Sequence, residues 1–302
     1  MPGMQSAILS LILLTQSAVA SGAAATPEYA RAFQRGDYVR ATTLAAERLK
    51  AQPADVQARI VLARAEAARG HFDAAYAGFR KALRLDPHSP DALYYLGVTA
   101  GVLAQIEHER LLAMAPGSVR AHELRGQSYE AQGRNAEAEA EFEAALEAGP
   151  PSVEVLVALG DLERARLSFA EARAHYSRAV ELAPGHYDAL YGVGVCDAYV
   201  GEHAEAAQFF RRALRVAKHS APAHLALGIS LLQTGKAAEA VTELEAAARL
   251  EPRMRQAFYQ LGRAYQALGR PQEAATAFAR VQKLLQQERE VNEAIMEKPD
   301  PR

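Results

Sequence analysis

The sequence predicts an all-α fold: a solenoid of stacked antiparallel helix pairs with a C-terminal capping helix. Three observations carry this. Glycines recur at Gly126, Gly160, Gly194, Gly228 and Gly262, each 34 residues after the last. Alanines recur with the same step at Ala138, Ala172, Ala206, Ala240 and Ala274. Large apolar residues follow in register at Phe142, Tyr176, Phe210, Leu244 and Phe278. A fixed period carried by several residue types marks a repeat architecture, in which each unit buries its apolar side against its neighbours.

The chain opens with MPGMQSAILSLILLTQSAVASGAAA, which has no charged side chain through Ala25. Ala7 to Leu14 is apolar except for Ser10, and Ala18-Val19-Ala20 supplies small residues at cleavage-site spacing. Residues 1–20 are therefore expected to be a secretory signal peptide, with a retained anchor over Ala7–Ala25 as the alternative. No cysteine follows the apolar run, so a lipoprotein anchor is not expected. The expected location is periplasmic or exported, with no integral membrane span after cleavage.

The repeat array is assigned to residues 21–285. Thr26-Pro27-Glu28 reads as an N-cap followed by proline at the first helical position, opening an end unit whose first helix is short. Gly36 and Gly70, Ala41 and Ala75, and Pro53 and Pro87 continue the 34-residue step toward the N-terminus. Each unit shows two apolar runs at helical spacing around a glycine turn. The turn glycines are Gly133, Gly201, Gly235 and Gly269, with Leu167 standing in the fifth place. Pro116, Pro150, Pro184 and Pro252 close units, and Lys218 replaces the proline once. In one unit, Leu190, Val193, Gly194 and Asp197 share a side of the first helix, and Ala206, Phe210 and Ala213 share a side of the second.

The third unit, about residues 88–117, is shortened: Pro87 to Pro116 is 29 residues. The glycine turn is gone there. Either the helix pair is locally kinked or trimmed, or the change creates a bend that widens a groove or docks a partner. After Val281 a sparse stripe of Leu284, Leu285, Val291 and Ile295 reads as a polar capping helix, with 286–302 as its end and a frayed tail.

The units resemble the tetratricopeptide repeat. The best copies are Leu261, Gly262, Tyr265, Gly269, Ala274 and Phe278, and Gly126, Tyr129, Gly133, Ala138, Phe142, Ala145 and Pro150. The likeness covers residues 26–285 in about eight units. It implies a right-handed superhelix whose concave wall is built from the first helices, and a scaffold that binds proteins without catalysis. The motif residues pack the fold and do not name a ligand.

On that resemblance, the wall positions are Tyr94 and Val98, then Glu123, Gln127 and Glu130, then Val157, Asp161 and Arg164. Later units add Tyr191, Val195 and Tyr199, then Leu225, Ile229 and Leu232, then Tyr259, Arg263 and Gln266. The wall has no Lys or Asn, so the carboxylate clamp of chaperone-binding family members is not supported. Its last three units are apolar and are expected to take an apolar helix or extended peptide. The alternatives are burial by tighter curvature or by the terminal helix, and self-association. The expected role is an adaptor of the bacterial cell envelope. The rival is an accessory subunit of polysaccharide export or pilus assembly, with tyrosines stacking on glycan. Arginine far outnumbers lysine and alanine is abundant, as suits a GC-rich bacterial genome.

Composition and motifs argue against other classes. The net charge is −2 and charged residues are 23% with signs interleaved, so no basic face for nucleic acid is expected. A single cysteine can form neither an internal disulfide nor a thiolate metal cage. Gly192-x-Gly194 lies inside a helix pattern and lacks the strand that a phosphate loop requires. Cys196 has no histidine in phase and reads as a buried thiol. The nine histidines are scattered, and neither H-E-x-x-H nor G-x-S-x-G occurs. No metal site, cofactor or catalytic residue is expected.

Overall fold

The computed structural model describes residues 26–296. The expected signal segment and the last tail residues lie outside the described residues. The described chain is helical throughout, in two compact units that divide after Pro116. Among the described residues, no helix is long and apolar enough to cross a membrane.

Unit 1 contains α1 (Glu28–Gln34), α2 (Tyr38–Ala51), α3 (Val56–Ala68), α4 (Phe72–Leu85) and α5 (Pro90–Met114). Unit 2 contains five helix pairs. They are α6 (Val119–Ala131) with α7 (Asn135–Ala148), α8 (Val153–Ala165) with α9 (Phe169–Leu182), and α10 (Tyr187–Tyr199) with α11 (His203–Val216). Then come α12 (Ala221–Gln233) with α13 (Ala237–Leu250), and α14 (Arg255–Ala267) with α15 (Pro271–Met296). Within each unit, successive helices pack on one another.

Start signals recur with the period. Ser118, Ser152 and Ser220 each accept a hydrogen bond from the backbone N–H three residues on, and His186 does so through its ring nitrogen. Each satisfies one of the amide donors left open at a helix start. The expected cap at Thr26 is displaced: Pro27 takes the cap position and α1 begins at Glu28 without a side-chain cap.

The turns between paired helices share one geometry. Gly133, Gly201, Gly235 and Gly269 have φ between 68° and 89°, and Gly36 and Gly70 match them. The next residue donates to a carbonyl five positions back, as in Glu202 N–H to Asp197 O at 2.9 Å. This is a Schellman closure, which requires a left-handed residue at its centre. Leu167 occupies the same place with φ 65°.

One expectation is corrected: the third unit is not a helix pair but the single uninterrupted helix α5, 25 residues long. Ala104 stands 34 residues after Gly70, and without a glycine to turn left-handed the helix runs through it. The expected C-terminal capping segment is helical. It continues α15, which runs 26 residues from Pro271 because nothing in the sequence breaks it.

The core follows the periodic residues. Phe79, Phe142, Tyr176 and Phe210 are buried beside fully buried alanines of the same helices. Each ring lies over a first-helix residue with little or no side chain. At Gly160 a Cβ would come within 2.7 Å of the Tyr176 ring, and at Gly192 within 2.6 Å. One ring thus occupies the space left by glycines on two successive first helices.

Candidate functional site

In unit 2, consecutive first helices touch one another as well as their own second helices: α8 packs on α10, α10 on α12 and α12 on α14. Elements that meet their next-but-one neighbours lie on the inside of a curved stack. The 34-residue period then sets side chains in rows across this wall. One row is Glu123, Val157, Tyr191, Leu225 and Tyr259. A second is Gln127, Asp161, Val195, Ile229 and Arg263. A third is Glu130, Arg164, Ala198, Leu232 and Gln266.

The structure grades these positions. Tyr191, Val195, Ile229 and Leu232 are half-buried and pack on the core that contains Phe210 and Leu244. Burial pushes the Tyr191 phenol above its ordinary range, with the neighbouring Tyr187 adding to the shift. Leu225 differs from the expectation of an open wall position: only 9% of it is exposed. Leu225 belongs to the buried core that contains Phe210 and Leu244. Tyr259 shares its row but stands at the end of the array. It is 49% exposed, tilted over Phe278 at 5.9 Å. Arg263 is also exposed and donates to Gln260.

Two predicted residues do not join this patch. Tyr199 stacks on Phe169, the first residue of α9, with ring centroids 3.5 Å apart. Ala198, not Tyr199, stands 34 residues from Leu232, so the tyrosine projects one position off the row. Tyr94 belongs to unit 1, where it is exposed and sits edge-on to Tyr95; Val98, on the same helix, is half-buried.

The polar end of the wall is held in place. Tyr176 donates to Asp161 Oδ1 at 2.7 Å, and Arg164 donates to Asp161 at 2.9 Å and to the Tyr176 oxygen at 3.2 Å. Burial raises the Tyr176 phenol; the bond from Arg164 opposes the shift and the bond to Asp161 adds to it. Hydrogen bonds to Asp161 and then Tyr176 raise Arg164, so its charge is secure. Glu123 is buried and accepts from Arg120 at 2.6 Å; Gln127 and Glu130 are exposed. The wall is thus apolar at α10 and α12 and polar toward both ends.

Cys196, its neighbour Asp197 and two of the histidines are buried or paired. Cys196 is buried, and desolvation, with Asp197 beside it, raises its thiol to about 11. Asp197 is buried and pairs with Arg173 of α9. His122 lies 2.7 Å from Glu141, and His224 lies 2.6 Å from Glu243. These two pairs bolt first helices to second helices at equivalent places, since the histidines are three periods apart. Among the described residues, no group of three or more His, Cys, Asp or Glu is placed to hold a metal ion. An open hollow of about 550 Å³ lies at the turn before α12, lined by Tyr187, Val216, Lys218, His219 and Ser220, and Tyr187 stacks on Tyr191 at 5.9 Å.

Solved structures with this architecture include a crystal structure of MamA protein. It is 22% identical, covers 57% of this chain and 94% of its own, and has a TM-score of 0.53. MamA from Desulfovibrio magneticus RS-1 is 18% identical, with coverage of 56% and 96% and a TM-score of 0.53. At this identity the likeness shows the fold. No match is found among curated proteins. A family model described as tetratricopeptide repeat matches residues 108–153, 157–222 and 225–288, and a second of the same description matches 56–99. Matched in this way over more than half its length, the chain belongs to the tetratricopeptide repeat family.

Proposed function

We propose that this protein-interaction scaffold binds an apolar helix or extended peptide along the first-helix wall of unit 2. One observation carries the reading. Tyr191, Val195, Ile229 and Leu232 stay half-exposed on two adjoining helices, with exposed Tyr259 beyond them and polar groups on either side. An apolar strip with a polar rim is the ordinary anatomy of a binding surface. Apolar helices dock in such grooves through anchors one turn apart, the spacing of Val195 from Tyr191 and of Ile229 from Leu225. The fold is typically a non-catalytic scaffold. The N-terminal residues support placing this role in the bacterial envelope, as an exported adaptor.

The glycan alternative has less support. It would rest on exposed tyrosines, but Phe169 covers one face of Tyr199 and Tyr191 is half-buried.

The test is a crosslinked pull-down from the native host, wild type beside Val195→Glu/Ile229→Glu, with folding of the variant checked by circular dichroism and melting. Leu225 is too buried to serve. A partner held by wild type and lost from the variant supports the wall, since a truncated anchor at an interface centre costs about 2 kcal/mol or more. Equal capture by both sinks the reading. Fractionation with N-terminal sequencing tests the envelope placement: a chain found in the cytoplasm and beginning at Met1 would refute it.

A further inference from the structure

Helix α5 leaves open a face that a second helix covers in the complete units. At Gly194 a Cβ would meet Phe210 at 2.7 Å, and at Gly262 it would meet Phe278 at 2.6 Å. Gly97 holds the same place, ten residues after its closing proline Pro87 as Gly194 follows Pro184. Nothing lies within 4 Å of a Cβ at Gly97, or at Gly101 one turn on. Leu93 corresponds to buried Leu190, yet it is 53% exposed. Leu93, Gly97, Gly101, Ala104, His108 and Leu111 follow at steps of three or four and so form one stripe. Ala92, Tyr95 and Thr99, on the opposite side, are buried in unit 1.

The covering segment is present in the sequence. Ala104, His108 and Leu111 stand 12, 8 and 5 residues before Pro116, as Ala138, Phe142 and Ala145 stand before Pro150. What is missing is the turn: 29 residues occupy a 34-residue unit. A continuous helix cannot fold back on itself. Two complementary segments that lose their hinge can still pair between copies, which is the logic of domain swapping.

We propose that α5 is a self-association element. Two copies of the chain pair antiparallel about a two-fold axis, and the first half of each α5 receives the second half of the other. The register follows from the complete units, where Gly126 faces Phe142. Carried onto α5, Gly97 faces His108 of the second copy, Gly101 faces Ala104, and Leu93 faces Leu112. The axis passes between Val102 and Leu103. The residues at the crossing are small, so the backbones can approach closely, and leucines close both ends. The incoming half-helix takes on α5 the seat that α2 takes on α1 and α4 takes on α3. It also covers apolar surface that α5 otherwise shows to water, beginning with Leu93.

The test is light scattering on the full chain across a dilution series. Wild type should reach twice the mass of one chain and dissociate on dilution. Gly101→Leu should stay at the mass of one chain. Within one chain leucine has open space at that position and a better helix propensity than glycine, so helicity should hold or rise, as should melting temperature at dilutions where wild type is also a monomer. Gly101→Cys/Ala104→Cys should give disulfide-linked dimers on oxidation. Tyr259→Ala in unit 2 should leave the mass unchanged, which separates this proposal from the peptide-binding reading. Wild type that is monomeric throughout overturns the proposal, as does a dimer that Gly101→Leu leaves intact.

Discussion

The Tyr176 hydroxyl donates to Asp161 Oδ1 at 2.7 Å, joining the core of one helix pair to the wall residues of its first helix. The ring beneath that hydroxyl fits only because Gly160 and Gly192 carry no side chain. Gly192→Ala would place a methyl 2.6 Å from the ring, and a buried tyrosine has little room to move. Overpacking costs about 1–3 kcal/mol, against a gain of up to about 1 kcal/mol from better helix propensity. Net destabilisation is expected. Gly101→Ala has the same propensity gain with no clash inside one chain, so at concentrations where the protein is a monomer its melting temperature should rise. Melting both variants beside wild type checks the opposite signs.

Leu167 is the one non-glycine with positive φ among the described residues, and it is 66% exposed. Its side chain contributes little packing, while the left-handed backbone costs about 1–2 kcal/mol. Leu167→Gly should stabilise unit 2 by up to about 1 kcal/mol once glycine's extra chain entropy is subtracted. Gly201→Leu, the reverse exchange one unit on, should destabilise. Chemical denaturation of the pair measures both.

Acid should weaken the joint between α6 and α7. Burial tends to raise Glu141, but hydrogen bonds from His122 and Arg125 outweigh it and hold the carboxyl below the ordinary glutamate range. A folded value below the unfolded one adds stability above the ordinary glutamate pKa of about 4.3, and this is lost as pH falls through the folded value. Glu141→Gln should remove that part of the acid dependence. Melting temperature against pH for the variant and wild type reads it directly; parallel acid limbs would refute the assignment.

Cys196 should behave as a reporter of unfolding. Its thiol is raised to about 11, so thiolate is scarce at neutral pH, and the residue is buried as well. Native protein should resist iodoacetamide, and labelling should track denaturant unfolding. Rapid labelling of the native chain would show that α10 opens locally.

The fold was legible because its determinants are packing residues. Gly194 and Phe210 meet at one register in every complete unit, so their spacing survives changes elsewhere. The histidine–carboxylate bolts were less legible. His122 and Glu141 are 19 residues apart, and only the turn between α6 and α7 makes them neighbours. The available signal was the distance of 102 residues between His122 and His224, three full periods.

Residue spacing alone established the repeat, its turns, the buried thiol and the five-residue deficit of the third unit. Those properties depend on contacts within a unit or with the next one, and such contacts repeat with the period. Exposure does not. Leu225 and Tyr259 hold one register position, yet the first is buried in the core and the second is half exposed on the last first helix of the array. The deficit could equally have made a kink. Only the three-dimensional chain showed one continuous helix, because Ala104 stands where the turn glycine would be and the backbone hydrogen bonds of α5 run on through it.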